Sequence, residues 1–149
     1  MAQAQDQHQA AVELFNKSLA TFRSLGASWF VARALTEMGI SLLAIGNEAE
    51  ARRVWLESLS IATDIHAIPF ALEALAGFAS LRANQGHIEN AFILLCLVLE
   101  HPASLQATKN RATALQVELE ARLTPTEIEA IRIHVKGKTF EGVVNGLLT

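Results

Sequence analysis

Apolar residues along this chain recur every three or four positions and rarely in strict alternation. From Trp29 onward the pattern runs Trp29-Phe30, Ala34-Leu35, Met38-Gly39, Leu42-Leu43, Gly46, Ala51, Val54-Trp55, Leu59 and Ala62. Such spacing is that of amphipathic helices with one face turned to a core, and the glycine between them is a helix stop. The same reading predicts a first helix over residues 7–25, with Ala11, Phe15, Ser18, Leu19 and Phe22 on its stripe and Gly26 behind it. A second helix follows Ser28 as N-cap and ends at Gly46, and a third opens at Asn47, with Glu50 close to a capping box. Pro69 suits the first turn of a fourth, which ends at Gly86. A fifth covers about 88–100 before Pro102, and a sixth about 104–122. Thr124-Pro125-Thr126-Glu127 is a capping box with proline at the first helical position, opening a seventh helix that Gly137 ends. A short last helix covers about 140–148, with Val143, Val144 and Leu147 at helical spacing. No run alternates as a half-buried strand would, so the expected fold class is all-α.

Much of this pattern returns at an offset of 40. Ala11, Ala51 and Ala91 obey it, as do Phe15, Trp55 and Leu95, and Leu19, Leu59 and Leu99. So do Ala34, Ala74 and Ala114 with Leu35, Leu75 and Leu115, while Gly46 matches Gly86. Internal repetition at such a period means helix pairs that bury their apolar faces against neighbouring copies.

Within a unit, Leu35, Met38-Gly39 and Leu42, followed by Ala51 and Trp55, resemble the two-helix signature of the tetratricopeptide repeat. The period departs from that family's 34 residues and overlaps the range of HEAT and armadillo repeats, but Leu35 to Ala51 keeps the tetratricopeptide spacing, the extra residues falling between one unit and the next. The second unit is looser, with Phe78-Ala79 and Arg82 where the first has Met38-Gly39 and Leu42. The long-period form is similar to the arrays at the carboxyl-terminal end of bacterial signal-transduction ATPases and large transcriptional regulators. The resemblance implies a right-handed α-solenoid of antiparallel helix pairs forming one domain over residues 1–149. Its parts would be a half repeat (7–26), two full repeats (28–65 and 69–101), a partial third (104–122) and C-terminal capping helices (124–148). It further implies a non-catalytic protein–protein interaction module, the regulatory or sensor repeat region of a larger cytoplasmic signalling or transcriptional regulator. A structural self-association unit, forming a homodimer, is the alternative.

By register, the outward residues of the first helices would line a groove for a protein or peptide. They are Arg33, Thr36, Glu37 and Ile40, then Glu73, Ala76, Gly77, Ser80 and Asn84, with Gln116 and Glu120 from the third unit. The glutamates oppose a bound carboxylate, and the small residues make a shallow trough. Helix five differs from its counterparts, because its outward side is Phe92, Ile93, Cys96 and Leu97. A helix apolar all round is buried all round, so either the last two helices or a second copy of the chain must cover that face.

Composition narrows the chemistry. The chain has 149 residues, half of them apolar, with a formal net charge of −3 and scattered basic residues, so no footprint for nucleic acid appears. The longest apolar run, Ala91 to Leu99, is about half of what a membrane span needs. A polar start and a single cysteine fit a cytoplasmic setting. Gly137-Lys138-Thr139 lacks the upstream glycine of a phosphate-binding loop, where Arg132 stands instead. None of the five histidines has a second ligand at helical spacing, so no metal is expected. Cys96 lies among leucines that disfavour a thiolate. Glu37 and Glu73 have no nucleophile or further base in reach in the pattern, so neither catalysis nor a cofactor is expected.

If Trp55 is a core group, Trp55→Ala costs about 3–5 kcal/mol. Urea unfolding measures it, and a loss under about 1 kcal/mol would mean an exposed indole and a wrong register.

Overall fold

The computed structural model describes residues 2–149, and among them the chain is wholly helical. The eight helices are α1 (Ala2–Ser24), α2 (Ser28–Ala44), α3 (Glu48–Asp64), α4 (Ile68–Asn84), α5 (Ile88–Glu100), α6 (Gln106–Glu120), α7 (Pro125–Val135) and α8 (Phe140–Leu148). From α1 to α6 each helix packs on the one before it, and α2, α4 and α6 also touch in turn.

The turns between the first five helices are copies of one another. Gly26, Gly46, His66 and Gly86, each 20 residues after the last, have φ of +66°, +84°, +58° and +83°. In every case the next residue's N–H reaches back to a carbonyl five residues upstream: Ala27 to Phe22, Asn47 to Leu42, Ala67 to Ala62 and His87 to Arg82. This closure of a helix C-terminus places one residue in the left-handed region, where glycine has no β-carbon to clash. The local rule therefore has half the period of the side-chain pattern. His66 hides it in the sequence, being the one non-glycine at this turn position.

Start signals are mixed. Asn47 caps α3 by accepting from the Glu50 N–H, but the Glu50 carboxylate turns to Arg53 instead of back to the cap. Thr124 and Glu127 make the full reciprocal box. Ser28, expected as the cap of α2, is instead its first helical residue after Ala27, since the turn at Gly26 already fixes the chain's entry there. Nor is Gly137 left-handed; α7 simply ends at Val135.

The core centres on Trp55 of α3. Its indole is 1% exposed, lies between α2 and α4, and donates its N–H to the Thr36 carbonyl at 3.1 Å. A β-carbon on Gly39 of α2 or on Gly77 of α4 would collide with the indole ring. Two glycines thus form a slot for one large flat side chain, and Phe78 packs beside it. Leu35, Leu59, Leu72 and Leu75 are fully buried around this point. Ser58 Oγ, also buried, donates to the Ala32 carbonyl at 3.0 Å and ties α3 to α2 again.

Farther out, Arg23 of α1 pairs with Glu57 of α3 at 2.7 Å. The hydrogen bond from Arg23 holds the Glu57 carboxyl below its ordinary range. The pair is partly exposed, so it orients α1 more than it stabilises it.

At the other end, α7 packs on α5 and α8 reaches α3. Phe92, Cys96 and Leu97 are buried and Ile93 half-buried, with the Arg132 guanidinium over the Phe92 ring at 5.8 Å. The face expected to need a cover is thus closed within a single chain. Ala114 breaks the expected likeness to Ala34 and Ala74: it is exposed, while they are buried. The face of α6 that it belongs to carries Arg111 and Glu118, where α2 has Val31 and Met38 and α4 has Ala71 and Phe78. That face is polar and suits water.

Two outcomes follow for stability. Gly77→Ala improves helix propensity, yet overpacking against the fixed indole outweighs this, for a net loss of about 2 kcal/mol in urea unfolding; a neutral or stabilised variant would mean the slot is loose. His66→Gly should gain about 1 kcal/mol by relieving the left-handed histidine, read as a higher melting temperature, whereas an unchanged or lower value would mean the turn is not strained.

Candidate binding groove

The helices α2, α4 and α6 together line a groove with two adjoining hollows that share Glu73. The first, about 310 Å³, has Trp55, Gly77, Ala112 and Leu115 among its lining residues. Thr36, Ile40, Ser80 and Asn84, all expected in a groove, line it as well. The second, about 360 Å³, lies toward the start of α2 and α4. There Arg33, Glu37 and Glu73 meet Trp29, Phe70 and Leu105.

Glu73 is the polar centre. Its carboxylate lies 3.1 Å from Thr36 Oγ1 of α2, whose one proton it shares with the nearer Arg33 carbonyl at 2.7 Å, and it accepts from Thr108 Oγ1 of α6 at 3.3 Å. Arg111 of α6 stands 3.8 Å away, and the Glu73 side chain is 14% exposed. One carboxylate thereby links three neighbouring helices. Thr36 is consequently not outward-facing: it is 2% exposed, covered by the carboxylate it bonds. In the second hollow, Arg33 pairs with Glu37 at 3.6 Å and sits over the Trp29 ring at 5.9 Å. Each groove charge therefore has an opposite neighbour. Two ion pairs leave the surface with little net field.

Trp29 belongs to an aromatic row. Phe22 stacks on Phe30 at 5.2 Å, Phe30 meets Trp29 edge-on at 4.9 Å, and Trp29 meets Phe70 edge-on at 4.9 Å. The row crosses from α1 through α2 to α4 along the edge of the turns. Trp29 and Phe30 are nearly half exposed, as is Leu105 at the start of α6.

Several sequence expectations change here. Gly77 is small because an indole lies on it, not to leave a trough. Gln116 and Glu120 do not line either hollow: the Gln116 amide is 3.8 Å from Cys96 Sγ, and Glu120 pairs with Arg132 at 3.3 Å. Arg111 was missed, although it breaks an otherwise apolar series with Val31 and Ala71, and that break was readable. Trp29 was missed because helical period assigns it to a core, where Phe70, at 7% exposed, does lie. Burial pushes the Cys96 thiol up, with Arg132 opposing weakly. Among the described residues, no three His, Cys, Asp or Glu side chains gather as a metal site, and no helix is long and apolar enough to cross a membrane.

Comparison with protein-family models, with curated proteins and with solved structures returns no match for this chain.

Proposed function

We propose that this chain is a non-catalytic interaction module of the tetratricopeptide type, a right-handed solenoid that holds a protein or peptide in the groove of α2, α4 and α6. The observation that carries the reading is the groove itself: a continuous, largely apolar surface over three helices, its charges paired off around Glu73. Apolar hollows with a few placed polar groups bind side chains by burial and orient them by hydrogen bonds. The ordered packing of successive helices and the slot around Trp55 support the repeat reading. On the sequence resemblance, the module is the regulatory or sensor portion of a larger cytoplasmic signalling or transcriptional protein.

A selection of random phage-displayed peptides on the immobilised chain tests this. Enriched peptides should lose at least about tenfold in affinity to Ser80→Arg, whose long side chain fills the first hollow while leaving the core alone. A variant that melts like the parent but retains every peptide, or a selection that enriches nothing, sinks the groove.

Self-association remains the second reading because of α1. Leu14 is 64% exposed, whereas its counterparts at offset 40, Val54 and Leu94, are 0% and 3% exposed. A second copy covering this stripe would make a dimer that Leu14→Glu dissociates in light scattering. A parent that is monomeric at all concentrations ends that reading.

A further inference from the structure

A hollow of about 430 Å³ lies beneath α8, away from the groove, where α4 and α5 meet the link from α7. Its charged residues are Arg82 of α4 and Lys138 of that link, and no carboxylate lines it. Glu89 and Glu141, beside its wall in sequence, are not part of it. Both groove hollows contain a glutamate, as do the hollows between α5 and α7 and between α4 and α6. In a chain of net charge −3 this is an unbalanced place.

Arg82 is half-buried and makes no ion pair or side-chain hydrogen bond among the described residues, whereas Arg23, Arg33, Arg53, Arg111 and Arg132 are all paired. A guanidinium drawn partly out of water gains most from an acceptor, and its fixed fork of N–H donors suits two oxygens of one anion. The remaining wall is largely apolar: Leu94 is buried, while Ile93, Val143 and Leu147 are half-buried. A β-carbon on Gly146 would meet nothing within 4 Å, so there is room on the α8 side.

These features call for an anion with an apolar body, and charge decides its kind. A phosphomonoester carries close to two negative charges at neutral pH, which two cations match. A carboxylate would leave one of them unanswered. The volume is that of a small-molecule site, and two cations are too few to follow a nucleic-acid backbone. Nothing here depends on a phosphate-binding loop. The Thr139 hydroxyl already accepts from the Gly142 N–H, so Lys138 acts through its charge.

We propose that the hollow beneath α8 binds a small phosphomonoester, its phosphate between Arg82 and Lys138 and its apolar part against Leu94 and Leu147. The site is separate from the groove, so either can fail without the other.

Calorimetric titration of the full chain with phenyl phosphate tests this, with benzoate and inorganic phosphate as comparators. Phenyl phosphate should saturate at millimolar concentration or below. Benzoate should bind at least about tenfold more weakly for want of the second charge, and inorganic phosphate more weakly for want of the ring. Arg82→Gln and Lys138→Gln should each lower the affinity for phenyl phosphate at least about tenfold while melting as the parent does. Should Arg82→Gln melt lower, Lys138→Gln decides alone, since that side chain is exposed. Amide exchange in residues 137–147 should slow when phenyl phosphate is bound. Absence of saturation at millimolar phenyl phosphate overturns the proposal, as do equal affinity for either comparator, an unaffected Lys138→Gln, and protection confined to other helices. A phosphoserine peptide that binds more tightly than phenyl phosphate makes this a phosphopeptide site and ends the small-molecule reading.

Discussion

A single indole decides how three helices meet. Trp55 projects from α3 into the seam between α2 and α4, and it fits because each of those helices has a glycine where the ring lies. Close packing without voids gives the core its rigidity, and here the closeness depends on two missing methyl groups. The Trp55 N–H finds the Thr36 carbonyl, so the ring also brings a polar atom into the interior without leaving it unpaired. Because α2 and α4 are held at this separation, their exposed faces come side by side as one surface.

That surface inherits its character from the wedge beneath it. Trp55 reaches far enough to line the first hollow while remaining buried. Thr36 is pinned by the same arrangement: its carbonyl receives the indole, and its hydroxyl reaches Glu73. Core packing and groove electrostatics therefore share atoms. A change at Gly39 or Gly77 would be felt at Glu73, and so at the contacts that Glu73 makes with α6.

The C-terminal helices show how polarity steers packing. A further helix laid on α6 as α3 lies on α2 would face Arg111 and Glu118 instead of Val31 and Met38. Helix α7 carries Ile131 and Val135, both buried, and it packs on α5, which offers Phe92. Burial of apolar surface goes where the apolar surface is. The outer side of α6 is thereby left polar, while α1 exposes Leu14.

Local chemistry made the helices legible in advance: period, capping residues and glycine stops are properties of neighbours along the chain. The repeat offset was legible for the same reason, and with it the burial of Ala51 and Trp55 and the membership of Ile40, Ser80 and Asn84 in a shared groove. What lay beyond reach were contacts set by where side chains end after the helices have met. Glu73 looked like a solvated groove residue until Thr108 and Arg111 arrived from a helix 35 or more residues away. Gly77 looked like a gap until an indole filled it, and His66 gave no sign of standing in for a glycine. Sequence spacing specifies which face a residue occupies, but only three-dimensional register decides what stands opposite it.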